Sequence, residues 1–185
     1  LDIPAQKEEP IDASETISFN WKKNPAPLQI DFREERGHIK RVVINQKEVP
    51  VQFEKEHLLI QPEYLQDGPN TVDIAFTAGN LSLNRNPEYL YTLLVPDRAR
   101  TVFPCFDQPS LKATFELSLT VPHDWQAVAN APLRDSVLAG QRKTYHFQPS
   151  DLISTYLFSF VAGKFERVMQ TIGGREMNFY HRETD

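Results

Sequence analysis

Apolar and polar residues alternate with a period of two through most of this 185-residue chain. Ile17, Phe19 and Trp21 fall on one side of an early segment, and 28–32 repeats the pattern after a proline-rich turn at 24–27. Successive side chains of a strand point to opposite faces, so this alternation is typical of half-buried β-strands. No comparable helical periodicity occurs. The chain is therefore constrained to a fold made almost entirely of strands.

Turn-forming residues separate many short strands. Asn, Gly and Pro clusters that tolerate tight backbone occur at 45–47, 67–70, 139–141 and 173–174. Strands joined in this way are antiparallel neighbours. We predict one all-β domain over 1–185, either an antiparallel β-sandwich or a large curved sheet backed by a smaller sheet, with few or no helices. The further predicted strands are 39–44, 49–53, 57–60, 71–77, 90–95, 114–121, 125–129, 143–147, 156–162, 165–169 and 177–181.

Charge and composition exclude several classes of function. The chain has 20 Lys and Arg against 25 Asp and Glu, a net charge of −5, which argues against a nucleic-acid partner. No segment approaches the roughly 20 apolar residues of a membrane span. Cys105 is the one cysteine, so an internal disulfide is excluded and the compartment stays open between the cytoplasm and the cell envelope.

The most distinctive segment is 98–115, which contains Phe-Pro-Cys-Phe-Asp-Gln-Pro. Two prolines fix the backbone at both ends of a corner, two aromatic rings can anchor it in the core, and an aspartate can accept backbone N–H groups inside it. We interpret this segment as a rigid corner that feeds the next strand and not as a site of chemistry. Its structural residues are Arg100, Phe103, Pro104, Cys105, Phe106, Asp107 and Pro109.

Residue patterns for catalysis or metal binding are absent from the sequence. The five histidines are scattered without ligand spacing. Cys105 has no histidine that the sequence marks as its activating partner, so a buried structural thiol is the favoured interpretation. No Gly-x-Ser-x-Gly elbow occurs. We therefore predict no catalytic residue and no metal ligand in this chain.

The segment 98–115 resembles the signature of the amino-terminal domain of M1-family zinc aminopeptidases, in which an arginine precedes Phe-Pro-Cys-Phe-Asp-x-Pro and then Lys-Ala. Further stretches at 58–72, 121–133 and 154–165 are similar to other parts of that domain. The resemblance covers nearly the whole chain and is weakest before Ile39. It also places Leu1 inside the first strand of the family, so that a few residues would precede it.

The resemblance implies a role beside an active site that lies elsewhere. In the family, two histidines and a glutamate hold zinc and a second glutamate is the general base, but no His-Glu-x-x-His occurs here. The chain alone is then expected to bind no zinc and to cleave no peptide. Its partner would be the catalytic domain of the same protein, which it would cap while narrowing the path of the peptide substrate.

One stretch departs from the family. A Gln-x-Glu that helps to hold the substrate's α-amino group usually precedes the proline, but Leu93 and Val95 stand there. Both are interpreted either as core-strand packing or as lining of the site. The anionic contact would then come from the catalytic domain, or from Asp97 with Arg98 beside it, unless the protein has changed its substrate or lost activity.

Two other functions stay open from the sequence. One is a binding or scaffold protein that keeps this β domain without the catalytic residues, which the missing Gln-x-Glu favours. The other is an unrelated β-sandwich that binds carbohydrate through rings such as Trp21 and Trp125, although aromatics at strand spacing usually belong to the core.

Overall fold

The computed structural model describes residues 1–182, in which short strands dominate and helix is limited to four single 3₁₀ turns. The all-β prediction is confirmed. Residues 183–185 of the predicted domain lie outside the described residues. The strands are β1 Asp12–Trp21, β2 Leu28–Asp31, β3 Ile39–Ile44, β4 Lys47–Glu48, β5 Gln52–Glu54, β6 His57–Ile60, β7 Gly68–Thr77, β8 Leu83–Arg85, β9 Tyr89–Thr92, β10 Ser118–Pro122, β11 Gln126–Ala129, β12 Leu133–Ala139, β13 Arg142–Phe147, β14 Phe160–Gly163, β15 Glu166–Ile172 and β16 Arg175–His181. The 3₁₀ turns are Arg36–His38, Pro62–Tyr64, Ala99–Thr101 and Thr155–Leu157.

The strands form one large sheet and several smaller ones, and the described pairings between strands are antiparallel. The large sheet joins the order β4-β3-β7-β1 to the order β10-β13-β12. Asp2 makes that junction, because it pairs antiparallel with Asp12 on one side and parallel with Thr120 on the other. The smaller sheets have the orders β2-β6-β5 and β11-β14-β9-β8, and β15 pairs with β16 as a separate hairpin.

Apolar side chains from the large sheet and both smaller sheets meet in one buried cluster. Phe32 and Phe76 are completely buried and meet edge to face with their ring centroids 5.7 Å apart. Each such side chain contributes about 1.5–3 kcal/mol when it leaves water. This cluster fixes β2 against the large sheet, and β2 in turn carries the corner described below.

Several predicted strand limits are wrong. Segment 114–121 becomes a strand only at Ser118, because the N–H of Phe115 donates to the side chain of Ser150 and not to a neighbouring backbone. Segment 156–162 begins as the 3₁₀ turn Thr155–Leu157. The predicted turn at 67–70 is mostly part of strand β7. The first residues of β7 pair with β1 alone, so Pro69, which has no N–H, does not have to donate a hydrogen bond to β3. The turns at Asn45 and at Gly173–Gly174 do have the predicted positive φ angles.

The hairpin of β15 and β16 stands apart from the core. Val168 pairs with Phe179 and Gln170 with Met177, so these residues share one face of the hairpin. The apolar members of this face are exposed. A two-stranded hairpin is marginally stable by itself in water. This face is therefore an exposed apolar surface of the hairpin.

Candidate functional site

The corner predicted within 98–115 lies between β9 and β10 and begins with a tight turn. The N–H of Arg98 donates to the carbonyl of Leu94 over 2.8 Å, and the 3₁₀ turn Ala99–Thr101 follows at once. The carbonyl of Arg100 then accepts the N–H of Arg33 over 2.7 Å. The contact of Arg100 with Arg33 ties the 3₁₀ turn Ala99–Thr101 to the segment that follows β2.

Asp107 holds the corner closed from inside. Its Oδ2 accepts the N–H of Arg100 over 3.1 Å, and its Oδ1 accepts the hydroxyl of Thr155 over 2.6 Å. The carbonyl of Pro109 accepts the hydroxyl of Ser154 over 2.6 Å. These hydrogen bonds hold the motif against the 3₁₀ turn at 155–157, and each carboxylate oxygen of Asp107 accepts one structural hydrogen bond.

The aromatic residues of the motif enter the core. Phe103 is buried and lies edge to face with Phe158, with ring centroids 5.6 Å apart. Phe106 is partly buried and meets Phe19 of β1 at 5.5 Å. Pro104, between them, is buried as well. The segment is therefore a packed corner that sets the direction of the chain between two sheets.

Asp31, at the end of β2, is a central residue that sequence reasoning missed. It is buried, and its Oδ2 accepts the N–H of Asp107 and the side-chain amide of Gln108, each over 2.9 Å. His57 Nδ1 lies 3.0 Å from its Oδ1. No spacing rule marks Asp31, because it sits between the buried apolar residues Ile30 and Phe32 and gains its partners only through tertiary contact.

Cys105 is buried and is bound to β2 through its backbone. Its N–H and carbonyl exchange hydrogen bonds of 3.0 and 2.8 Å with Asp31. Burial raises the pKa of the Cys105 thiol well above its usual range, and the carboxylates of Asp107, Glu15 and Asp31 raise it further. A nucleophilic thiol needs the opposite shift. The structure thus supports a structural thiol.

Leu93 and Val95 do not pack into the core, so their interpretation as core-strand residues is wrong. Side chains alternate along 90–95: Leu90, Thr92 and Leu94 are buried, whereas Tyr91, Leu93 and Val95 are 40%, 53% and 53% exposed. The exposed residues begin in β9 and continue past its end at Thr92, up to the start of the corner. A contiguous exposed apolar surface can mark a place that another group covers. We call Tyr91, Leu93 and Val95 the apolar row.

Asp97 and Arg98 lie on the surface of the tight turn. Asp97 Oδ2 is 3.8 Å from Arg100 Nη2, and Arg100 Nη1 is 3.6 Å from Glu56 Oε2. The Arg100 guanidinium is therefore shared between two carboxylates. Asp97 lies beside the apolar row, but its carboxylate is already near the guanidinium of Arg100. This contact weakens its attraction for a second cation.

The remaining sequence candidates occupy ordinary positions. Within residues 1–182, no group of three His, Cys, Asp or Glu side chains is placed to hold a metal ion. None of the helical turns in that range has the length and hydropathy that a membrane crossing requires. Trp125 is 4% exposed and Trp21 faces the interior in part, so these rings do not form an exposed platform for a sugar.

Comparison with known proteins gives a consistent match. A model of the peptidase M1 N-terminal domain matches residues 3–157. Aminopeptidase M1-C of Oryza sativa subsp. japonica is 46% identical over 70 residues, which cover 38% of this chain and 8% of the relative. Probable M1 family aminopeptidase 2 of Encephalitozoon cuniculi is 33% identical over 133 residues, which cover 67% of this chain and 15% of the relative. The chain thus spans a small part of the length of these relatives.

Proposed function

The chain belongs to the peptidase M1 N-terminal domain family, and from this we propose that it caps the catalytic domain of a zinc-dependent aminopeptidase that releases amino-terminal residues from peptides. Its own contribution is to narrow the substrate entrance. The relatives named as aminopeptidases motivate the activity, which belongs to the full-length protein.

The observation that carries this proposal is the apolar row next to the family's corner motif. Tyr91, Leu93 and Val95 are exposed, whereas Leu90, Thr92 and Leu94, which alternate with them, are buried. The corner behind them is rigid, because Asp107 and Asp31 bind it from two sides. A rigid apolar surface at that place can bind a neighbouring domain or the first side chain of a peptide without reorganisation.

The described residues do not fit a zinc site, because no three suitable ligands converge in them. Zinc would therefore be held by residues outside this chain, where it would lower the pKa of a bound water. The residues of this chain would exclude water and set the width of the entrance.

The substrate's α-ammonium group needs an anionic partner once it leaves water. Leu93 and Val95 cannot supply one, and Asp97 is near Arg100. We propose that the catalytic domain supplies the carboxylates. An increase in KM for an aminoacyl substrate on Asp97→Ala in the full-length protein would instead assign that contact to Asp97.

The test compares two substrates of the full-length protein. Alanine p-nitroanilide has a free α-amino group, and its N-acetylated form is the matched control. We expect hydrolysis of the first alone, and inhibition by 1,10-phenanthroline. Equal cleavage of both, or insensitivity to the chelator, would refute an aminopeptidase of this class.

A scaffold protein without activity is the second candidate, favoured by the replacement of Gln-x-Glu with Leu93 and Val95. It predicts that the full-length protein binds peptides, or a protein partner, without cleaving them. Absence of Gly-x-Met-Glu-Asn and His-Glu-x-x-His after Asp185 in the full-length sequence would favour it.

A further inference from the structure

The hairpin turn between β5 and β6 consists of Lys55 and Glu56, and their φ angles are both positive, 50° and 67°. Glycine adopts this left-handed conformation without strain, whereas a residue with a Cβ is strained in it. Strained residues of this kind persist where their surroundings fix them, and they concentrate at functional sites. Something other than backbone preference therefore favours a glutamate at position 56.

The backbone of Glu56 is bound to the segment that follows β2. Its carbonyl accepts the N–H of Phe32 over 2.8 Å, and Phe32 is completely buried. The next N–H of that segment, from Arg33, donates to the carbonyl of Arg100 over 2.7 Å. The hairpin turn and the corner thus bind neighbouring residues of one segment, which holds them close together.

The carboxylate of Glu56 lies between two guanidinium groups. Its Oε1 is 3.3 Å from Arg33 Nε, and its Oε2 is 3.6 Å from Arg100 Nη1. On its other side, Arg100 Nη2 is 3.8 Å from Asp97 Oδ2. The four side chains therefore form one network of two positive and two negative charges, in which both arginines share Glu56.

A contribution to stability does not explain this network. The four side chains are between 29% and 59% exposed, and ion pairs with such exposure add little to the free energy of unfolding. The strain at Glu56 offsets that small gain. The network has a larger effect on the charge of the corner, because removal of Glu56 would leave Arg33 and Arg100 with Asp97 as their remaining carboxylate.

This charge lies close to the apolar row, which ends at Val95, two residues before Asp97. Charges interact over roughly 10 Å at 0.1 M ionic strength. An uncompensated guanidinium at Arg100 would therefore repel the α-ammonium group of a peptide that approaches the row. With Glu56 in place, the charges of the network cancel.

We infer that Glu56 is a positioning residue for the substrate entrance. It holds the guanidinium of Arg100 within the corner and cancels its charge, so that a cationic amino terminus can approach the apolar row. Glu56 acts through Arg100 and does not itself touch the substrate. The inference rests on the proposed aminopeptidase function.

Kinetics of the full-length protein with alanine p-nitroanilide test this inference. We expect Glu56→Gln to raise KM about threefold at low salt and to leave kcat unchanged. The increase should vanish in 1 M NaCl, where the screening length is about 3 Å. KM should also return to the parental value when Glu56→Gln is combined with Arg100→Gln, which removes the uncompensated charge. Glu54→Gln is the matched control, because Glu54 lies on the same hairpin but pairs with Lys55.

Two glycine variants separate the effect of charge from the effect of backbone strain. Gln46 is exposed in the turn between β3 and β4, and its φ angle of 70° matches that of Glu56. Gln46→Gly relieves the same kind of strain and should leave KM unchanged. Glu56→Gly should raise KM as Glu56→Gln does, because both variants lack the carboxylate.

A second measurement does not use peptidase activity. Phenylglyoxal modifies accessible guanidinium groups, and mass spectrometry gives the rate at each arginine. Arg100 should react roughly twofold faster in Glu56→Gln than in the parent, a small factor because half-exposed ion pairs are weak. Arg98 is exposed on the same turn and is the internal reference, whose rate should not change.

An unchanged KM in Glu56→Gln, with cleavage by both proteins, would overturn the inference. A KM increase that persists at high salt or in the double variant would overturn it as well. If neither protein cleaves the substrate, the proposed function fails by itself and the modification rate decides. An unchanged rate at Arg100 then overturns the positioning role of Glu56, and a faster rate supports it.

Discussion

The backbone N–H of Asp107 donates to the carboxylate of Asp31 over 2.9 Å, and both residues are buried. The contact joins the corner motif to β2, a strand that lies 76 residues earlier in the chain. The buried carboxylate of Asp31 is stabilised by the N–H groups that donate to it, because hydrogen bonds to a charged group are about twice as strong as those between neutral groups. The geometry of the candidate entrance therefore depends on a residue outside the motif.

Replacing Asp31 should destabilise the chain strongly. Asp31→Ala leaves the N–H of Asp107 and the side-chain amide of Gln108 without their acceptor. We expect a loss of about 2–4 kcal/mol in the free energy of unfolding, measured by urea denaturation. Asp97→Ala, on the exposed turn, is the control and should change it by less than about 0.5 kcal/mol. Equal effects of the two variants would contradict the role given to Asp31.

A methyl group at Gly79 should be poorly tolerated. A Cβ there would lie 2.1 Å from the carbonyl oxygen of Thr101, in the 3₁₀ turn of the corner. Gly79→Ala must therefore displace backbone, and we expect a loss of about 3 kcal/mol in thermal or urea unfolding. Gly37→Ala is the matched control, since a Cβ at Gly37 has no atom within 4 Å. If Gly79→Ala is as stable as Gly37→Ala, the close contact does not exist.

The stability of the 185-residue chain should depend on pH through Glu15. Its pKa is raised by burial in the folded chain, whereas in the unfolded chain it is about 4.3. Between these two values the folded state binds more protons, so stability falls as pH rises. The amino group of Leu1 and the thiol of Cys105 face the same region; burial lowers the pKa of the amino group and raises the pKa of the thiol.

The matched variant for this effect is Glu15→Gln, which has the same shape and no charge. We expect Glu15→Gln to gain in unfolding free energy over the parent as pH rises from 4 toward neutrality, with little difference below about pH 4. Urea denaturation at a series of pH values measures it. A difference between the two proteins that is the same at every pH would exclude a titrating, buried Glu15.

An anionic group in the apolar row should strengthen substrate binding if the row borders the α-amino site. Val95→Glu introduces a carboxylate at the position where the resemblance places the family's glutamate. We expect KM for alanine p-nitroanilide to fall about tenfold in the full-length protein, the effect of one charge-assisted hydrogen bond. Val95→Gln is the uncharged control. Because Val95 is 53% exposed, neither change should unfold the domain. Identical KM values for the two variants would place the row away from that group.

Much of the fold follows from local signals in the sequence. Alternation gives the faces of β1 and β7, and Gly173–Gly174 has the positive φ angles of a tight turn. Alternation also places Leu93 and Val95 on one face of a strand, but it does not indicate which of the two faces is covered. Asp31 and Gly79 could not be found at all, since their importance comes from contacts with residues far away in the chain.

Metal content, measured on two proteins, tests the central claim most directly. The claim is that this chain is a wall beside a zinc centre whose ligands lie elsewhere in the same protein. Inductively coupled plasma mass spectrometry should find about one zinc per full-length protein, and none retained by the 185-residue chain after dialysis against a weak chelator. Stoichiometric zinc in the 185-residue chain, or a full-length protein that binds none, would contradict the account.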